Sequence, residues 1–199
     1  MTQARTLADF VSGTTTITGN PTFSGTVAGA GAMSLVHSST ATSGTTLDFT
    51  GATTAFQMYF CIYSIDPTSD GGLRCQFYDA GDTPSVLTSS DYSQGGTNEG
   101  GGQSPSNLHN QTDIEIRVGI GGGGSGEYFT GSFFFQNPMD STYFTQMHGI
   151  MQAQSTSNAH IFNTYGGQRT ALEQNKGFQL KLDSGTITSA YLKVFGIEG

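Results

Sequence analysis

A chain of 199 residues can bury a core as one domain, and its net charge of -8 with only seven lysines and arginines argues against a nucleic-acid partner, which needs a basic face to gain affinity from phosphate. The same deficit disfavours anionic membrane surfaces, and no apolar run approaches the roughly 18 residues of a membrane span. Charged residues are 11% of the chain and aromatics another 11%, so polarity comes from Thr, Ser, Asn, Gln and 29 glycines, a mixture suited to extended strands, tight turns and uncharged partners such as sugars or sister subunits.

Residues 1–32 stand apart. MTQARTLADF lacks a basic stretch followed by an apolar one, so no export signal is expected. TTTITGNPTFSGTVAGAGA is small, β-branched and punctuated by glycine, with too few large apolar side chains to offset its own ordering entropy. It is expected to be an extended arm that orders against neighbouring subunits or another protein; a loose terminus is the other reading.

From residue 33 to 199 the pattern is that of short strands divided by turn signals. Ser34–Ser38 and Thr45–Phe49 flank the turn-like Thr42-Ser43-Gly44. Ala55–Ile65 is a long strand with apolar alternation, and Leu73–Asp79 is expected to answer it as a hairpin across DPTSDGG. After a short Val86–Thr88 strand, residues 93–107 read as a long glycine-rich loop. Ile114, Ile116, Val118 and Ile120 alternate with polar residues, the cleanest half-buried strand of the chain. GGGGSG at 121–126 is a further turn, followed by strands at Tyr128–Gln136, Tyr143–Ala153, Ala159–Asn163, Phe178–Leu182 and Thr186–Ile197. About ten strands and no long helix predict an all-β fold: an antiparallel β-sandwich or jelly roll bearing an N-terminal arm. The last strand is apolar on both parities, so it is either central in its sheet or part of a subunit interface.

Cys61 and Cys75 lie on the two strands of the expected hairpin. Phe56, Met58, Phe60 and Ile62 share the apolar parity of the first strand, which places Cys61 on the face opposite Cys75. Two free thiols are therefore expected, as suits a reducing compartment.

Chemical signatures are sparse. Asp66, Asp70, Asp79 and Asp82 cluster near one end of the hairpin, but DPTSDGG and DAGDTP are ordinary turn sequences and lack the calcium-loop spacing, so no metal is expected. His37, His109, His148 and His160 fall in no zinc spacing, although His148 and His160 occupy neighbouring strands. No nucleophile elbow, convincing carboxylate pair or phosphate loop appears, so neither catalytic residues nor cofactors are nominated and the chain is not read as an enzyme. Aromatics remain. Tyr92, Tyr128, Tyr143 and Tyr165 fall near expected loops or strand ends, and an exposed tyrosine stacks on sugars or anchors an interface, whereas most tyrosines are half-buried. With Asn107, His109, Asn110 and Gln111 they permit a neutral glycan site, for which Tyr92, Asn107, His109 and Tyr165 are the candidates.

Three stretches carry a likeness: TTTITGNPTFSGTV at 14–27, SSTATSGTTLDFTG at 38–51 with AFQMYFCIYSI and LRCQFYDAGD after it, and GFQLKLDSGTITSAYLKVFGIEG at 177–199. In these the chain resembles small virion proteins of tailed bacteriophages, particularly marine and cyanobacterial ones. It departs from them in having no tryptophan, with Phe144 or Met147 in the corresponding region. The resemblance implies a sandwich or jelly-roll head, a homotrimer, location on the virion and contacts to other tail or capsid proteins, with no activity. Three roles follow as expectations: a tail fibre or appendage touching host surface polysaccharide, a capsid decoration or cement protein, and a carbohydrate-binding module.

Overall fold

A computed structural model describes residues 33–99, 108–120, 128–154 and 160–198. The expected arm at 1–32, Asn107 and the GGGGSG run lie outside the described residues.

The described chain is all-β and folds as two antiparallel sheets packed as a sandwich. The strands are β1 (Met33–Ala41), β2 (Thr46–Phe49), β3 (Met58–Pro67), β4 (Gly71–Asp79), β5 (Tyr92–Glu99), β6 (Leu108–Gln111), β7 (Ile114–Ile120), β8 (Phe129–Gln136), β9 (Gln146–Gln154), β10 (His160–Arg169), β11 (Asn175–Leu182) and β12 (Ile187–Ile197). Eight strands form the larger sheet in the order β1-β12-β3-β8-β9-β10-β5-β6, and β2-β11-β4-β7 form the smaller one. Most connections between consecutive strands pass from one sheet to the other.

Period-two alternation builds the core. The smaller sheet turns Leu47, Phe49, Leu73, Cys75, Phe77, Ile114, Phe178 and Leu180 inward, and the larger sheet answers with Tyr59, Cys61, Tyr63, Phe133, Phe135, Met147, Met151, Leu192 and Val194. Phe178 is the hinge of this packing: its ring lies 4.9 Å from Phe133, 5.3 Å from Phe135 and 5.5 Å from Phe49, in edge-on or tilted contacts that favour aromatic pairs. Met147 is buried in the core, while Phe144 is only half-buried.

Three expectations change. The DPTSDGG turn does not close a hairpin, because β3 and β4 belong to different sheets. Cys61 faces inward, since the buried parity of β3 is Tyr59, Cys61, Tyr63 and Ile65 while Met58, Phe60 and Ile62 are only half-buried on the other side. Both thiols are consequently in the core, and both are free. The first part of the glycine-rich loop is a strand: β5 pairs with β10 from Tyr92↔Arg169 to Glu99↔Phe162.

The ends of the sandwich are held by polar networks. Arg169, 4% exposed, makes contacts of 3.0 Å to Asp91 and 2.9 Å to Glu173, and Asn175 donates to Thr145 Oγ1 and to the Glu173 carbonyl. Asp79 accepts from the backbone N–H groups of Gly81 and Ser85, the turn role expected of DAGDTP.

Candidate functional site

The two tyrosines nominated for sugar stacking are core residues. Tyr92 is fully buried; its hydroxyl accepts from the Phe77 N–H at 2.8 Å and donates to the Leu87 carbonyl at 3.1 Å. Tyr165 is 5% exposed, with its hydroxyl 3.4 Å from that of Tyr63, and burial pushes its pKa well up. Neither ring can meet a sugar, and both are corrected to structural roles: each lies on the inward parity of its strand, and each hydroxyl finds a partner inside. His109 does lie on the surface, on β6. Tyr128 and Tyr143 are exposed, at 38% and 65%.

A surface of another kind stands out on the outer face of the eight-stranded sheet. Strand register aligns one cross-strand row as Leu35, Phe195, Phe60, Phe134 and His148, followed by Gly166 and Gly95. The next row carries Lys193, Ile62, Ser132, Ile150 and Thr164. Phe60 and Phe134 pack with ring centroids 5.2 Å apart, and His148 stacks on Phe134 at 5.3 Å and 28°. Ile150 and Phe162 are each 46% exposed, and Leu35 is 56% exposed. Between Phe60, Ile62, Ile150 and Phe162 lies a depression of about 380 Å³ floored by Thr130, Gly131 and Ser132. Small residues on β8, flanked by large apolar ones on β3, β9 and β10, make that hollow.

The face is also almost free of charge. On β8, β9 and β10 each outward residue is Thr, Ser, Gln, His, Gly, Phe or Ile. Charge gathers instead on the smaller sheet and its neighbours, where Arg74 reaches Asp113 at 2.9 Å, Asp183 at 3.6 Å and Glu115 at 3.8 Å. Partial burial pulls the Arg74 pKa down, but the hydrogen bond and charge of Asp113, with Glu115 and Asp183, outweigh it and raise the pKa. Asp48 accepts from the Tyr78 hydroxyl at 2.6 Å and from Gln179 Nε2 at 2.8 Å.

Along the outer edge of the same large sheet runs an open polar trough of about 450 Å³, lined by Ser93, Gln94 and Gly95 of β5, His109 of β6, Gln146 to His148 of β9 and Gly166 to Gln168 of β10. Gln146 Nε2 donates to Gln168 Oε1 at 3.1 Å across the β9–β10 pair. The structure thus brings His109 and His148 to one trough. It keeps His148 and His160 apart, since His148 pairs with Gly166 while His160 pairs with Gln154. Among the described residues no group of three or more His, Cys, Asp or Glu converges.

Sequence reasoning missed Phe60, Ile62, Ile150 and Phe162 as surface residues. The signal was present: β3, like β12, is apolar on both parities, and a strand apolar on its solvent side is one with something to cover. No family model matches this chain, and no curated protein or solved structure matches it either.

Proposed function

We propose that this protein is a non-enzymatic structural subunit that assembles with copies of itself through the outer face of its eight-stranded sheet, as a homotrimeric tail-fibre or appendage component of a bacteriophage particle. The observation that carries the reading is the uncharged outer face of β8, β9 and β10, with Ile150 and Phe162 half in solvent at its centre and with Phe60 and Ile62 of β3 and Phe195 of β12 extending its apolar part. A monomer leaving such a face uncovered risks non-specific association, whereas a subunit of an assembly buries it.

A second copy is the occupant that the charges favour. Each chain carries a net charge of -8, so two copies repel through their charged surfaces and approach closely only where charge is absent. The neutral sheet face meets that condition. The strand β1 continues it, with Met33 and Leu35 both more than half exposed beside Ile197 and Phe195, and is the end strand of this sheet among the described residues. Three copies and the phage setting come from the likeness of the 14–27, 38–51 and 177–199 stretches to small virion proteins.

Light scattering on the purified full chain tests the reading. The expected mass is three times the 20.9 kDa chain, falling to a single chain in an Ile150→Glu/Phe162→Asp variant whose circular dichroism remains that of a β protein. A wild-type protein that stays at the single-chain mass overturns it.

A further inference from the structure

We propose that the trough between β5, β9 and β10 is a binding site for a neutral oligosaccharide. The proposal rests on the assembly reading for its valency, because a trimer would present three such troughs; its Gln146, Gln168 and Ser93 lie beyond Ile150 and Phe162, and His148 borders both surfaces.

The recognition chemistry is set by what lines the trough. Gln146 and Gln168 bridge the rim, and their mutual bond uses one amide hydrogen of Gln146 and the carbonyl oxygen of Gln168. Gln146 Oε1 remains an acceptor and Gln168 Nε2 a donor, side by side on paired positions of neighbouring strands. Ser93, in register with Gln168, adds a hydroxyl that both donates and accepts. Vicinal hydroxyls of a sugar ring are themselves donor and acceptor at once, so this alternating set is their complement. A phosphate or carboxylate ligand calls for Lys or Arg, and an amine calls for acids; none of these is among the described residues that line the trough, and no group of three or more metal-ligating side chains forms among the described residues.

Shape adds to this. Gly166 and Gly95 occupy adjacent positions on β10 and β5, so the floor beside His148 is bare backbone that a flat ring can approach. His148 is held flat against Phe134 and gives one wall of the trough a planar side for the apolar C–H face of a pyranose, and His109 lines the trough from β6. The volume, about 450 Å³, falls in the range of small-ligand sites. Contacts of this kind are individually weak, and a trimer strengthens them by raising the effective concentration of the second and third sites.

Saturation-transfer NMR on the intact chain, with short neutral oligomers of glucose, galactose, mannose and N-acetylglucosamine, is the test. A polygalacturonate oligomer serves as the anionic comparator. The expected result is transfer to at least one neutral series and none to the anionic one, with affinity about tenfold weaker in both Gln168→Ala and His148→Ala. Gln146→Ala replaces either variant should its circular dichroism change. The proposal is overturned if no neutral oligomer shows transfer up to about 10 mM, if binding survives the substitutions, or if the anionic oligomer binds equally well. Light scattering of the same samples reports assembly separately, so loss of sugar binding in an intact trimer sinks this site alone.

Discussion

Arg169 ties three parts of the molecule together: β10, where it sits, the segment before β5 through Asp91, and the link to β11 through Glu173 and Asn175. Its side chain is 5% exposed, so its charge has little water to fall back on. Replacing it by leucine leaves Asp91 without its cation, and removing one partner of a buried pair costs about 3 kcal/mol or more. Urea unfolding of Arg169→Leu should show that loss; a change within experimental error would mean that the network is idle. The two cysteines make a second residue-scale prediction. Burial pushes both thiols up in pKa, with a smaller push on Cys61 from Cys75 and on Cys75 from Asp113, so reactive thiolate is scarce at neutral pH. A thiol reagent should label neither cysteine in the native protein and both after denaturation. Rapid native labelling of Cys61 would contradict its place in the core.

At the scale of elements, β11 shows how closely the smaller sheet is fitted. A side chain at Gly177 would run into the backbone of Phe49 and Thr50, so only glycine lets β2 lie against β11 at this point. Gly177→Ala should therefore destabilise by about 2 kcal/mol, the usual scale of overpacking, measured by chemical denaturation. Alternation made most strands legible: Leu73 to Phe77, Ile114 to Ile116 and Phe178 to Leu182 turn the expected residues inward. It failed where both parities are apolar. In β3 the phenylalanine parity looks more apolar than Tyr59, Cys61 and Tyr63, yet the tyrosines and the cysteine are inside. Burial there is decided by the partner sheet, since Tyr59 packs against Phe49 and its hydroxyl meets the backbone of Thr53. β5 was hidden for a different reason. SQGGTNE lacks β propensity, and its strand is imposed by pairing with β10 along its whole length. The same blindness misplaced Tyr92 and Tyr165, because proximity to a turn in sequence says nothing of which face a strand turns to the core. His109 was legible as a surface residue, whereas Gln146, His148 and Gln168 join it only through the β9–β10–β5 order.

For the whole molecule the salient property is segregation of charge. Arg74, Asp113, Glu115 and Asp183 cluster about the four-stranded sheet, while the outer residues of β8, β9 and β10 are neutral. On the proposed reading, such an arrangement would keep free subunits apart through their acidic surface and leave one face able to meet its like. An acidic residue there should act on assembly and not on folding: Ile150→Glu/Phe162→Asp should abolish self-association while leaving the urea midpoint of the separated chain within about 0.5 kcal/mol in free energy, as expected of exposed positions. The same substitutions lie outside the polar trough's rim of Gln146 and Gln168, so a dissociated chain should still take up sugar, more weakly in proportion to its lost valency.

The claim on which the rest depends is that the neutral sheet face is covered by other copies of the chain. Sedimentation-velocity ultracentrifugation of the full-length protein over a range of concentrations measures this most directly. One species at three times the 20.9 kDa chain mass is expected, converted by Ile150→Glu/Phe162→Asp to a folded single chain. A single-chain species at every concentration, for the wild-type protein and the variant alike, would contradict it.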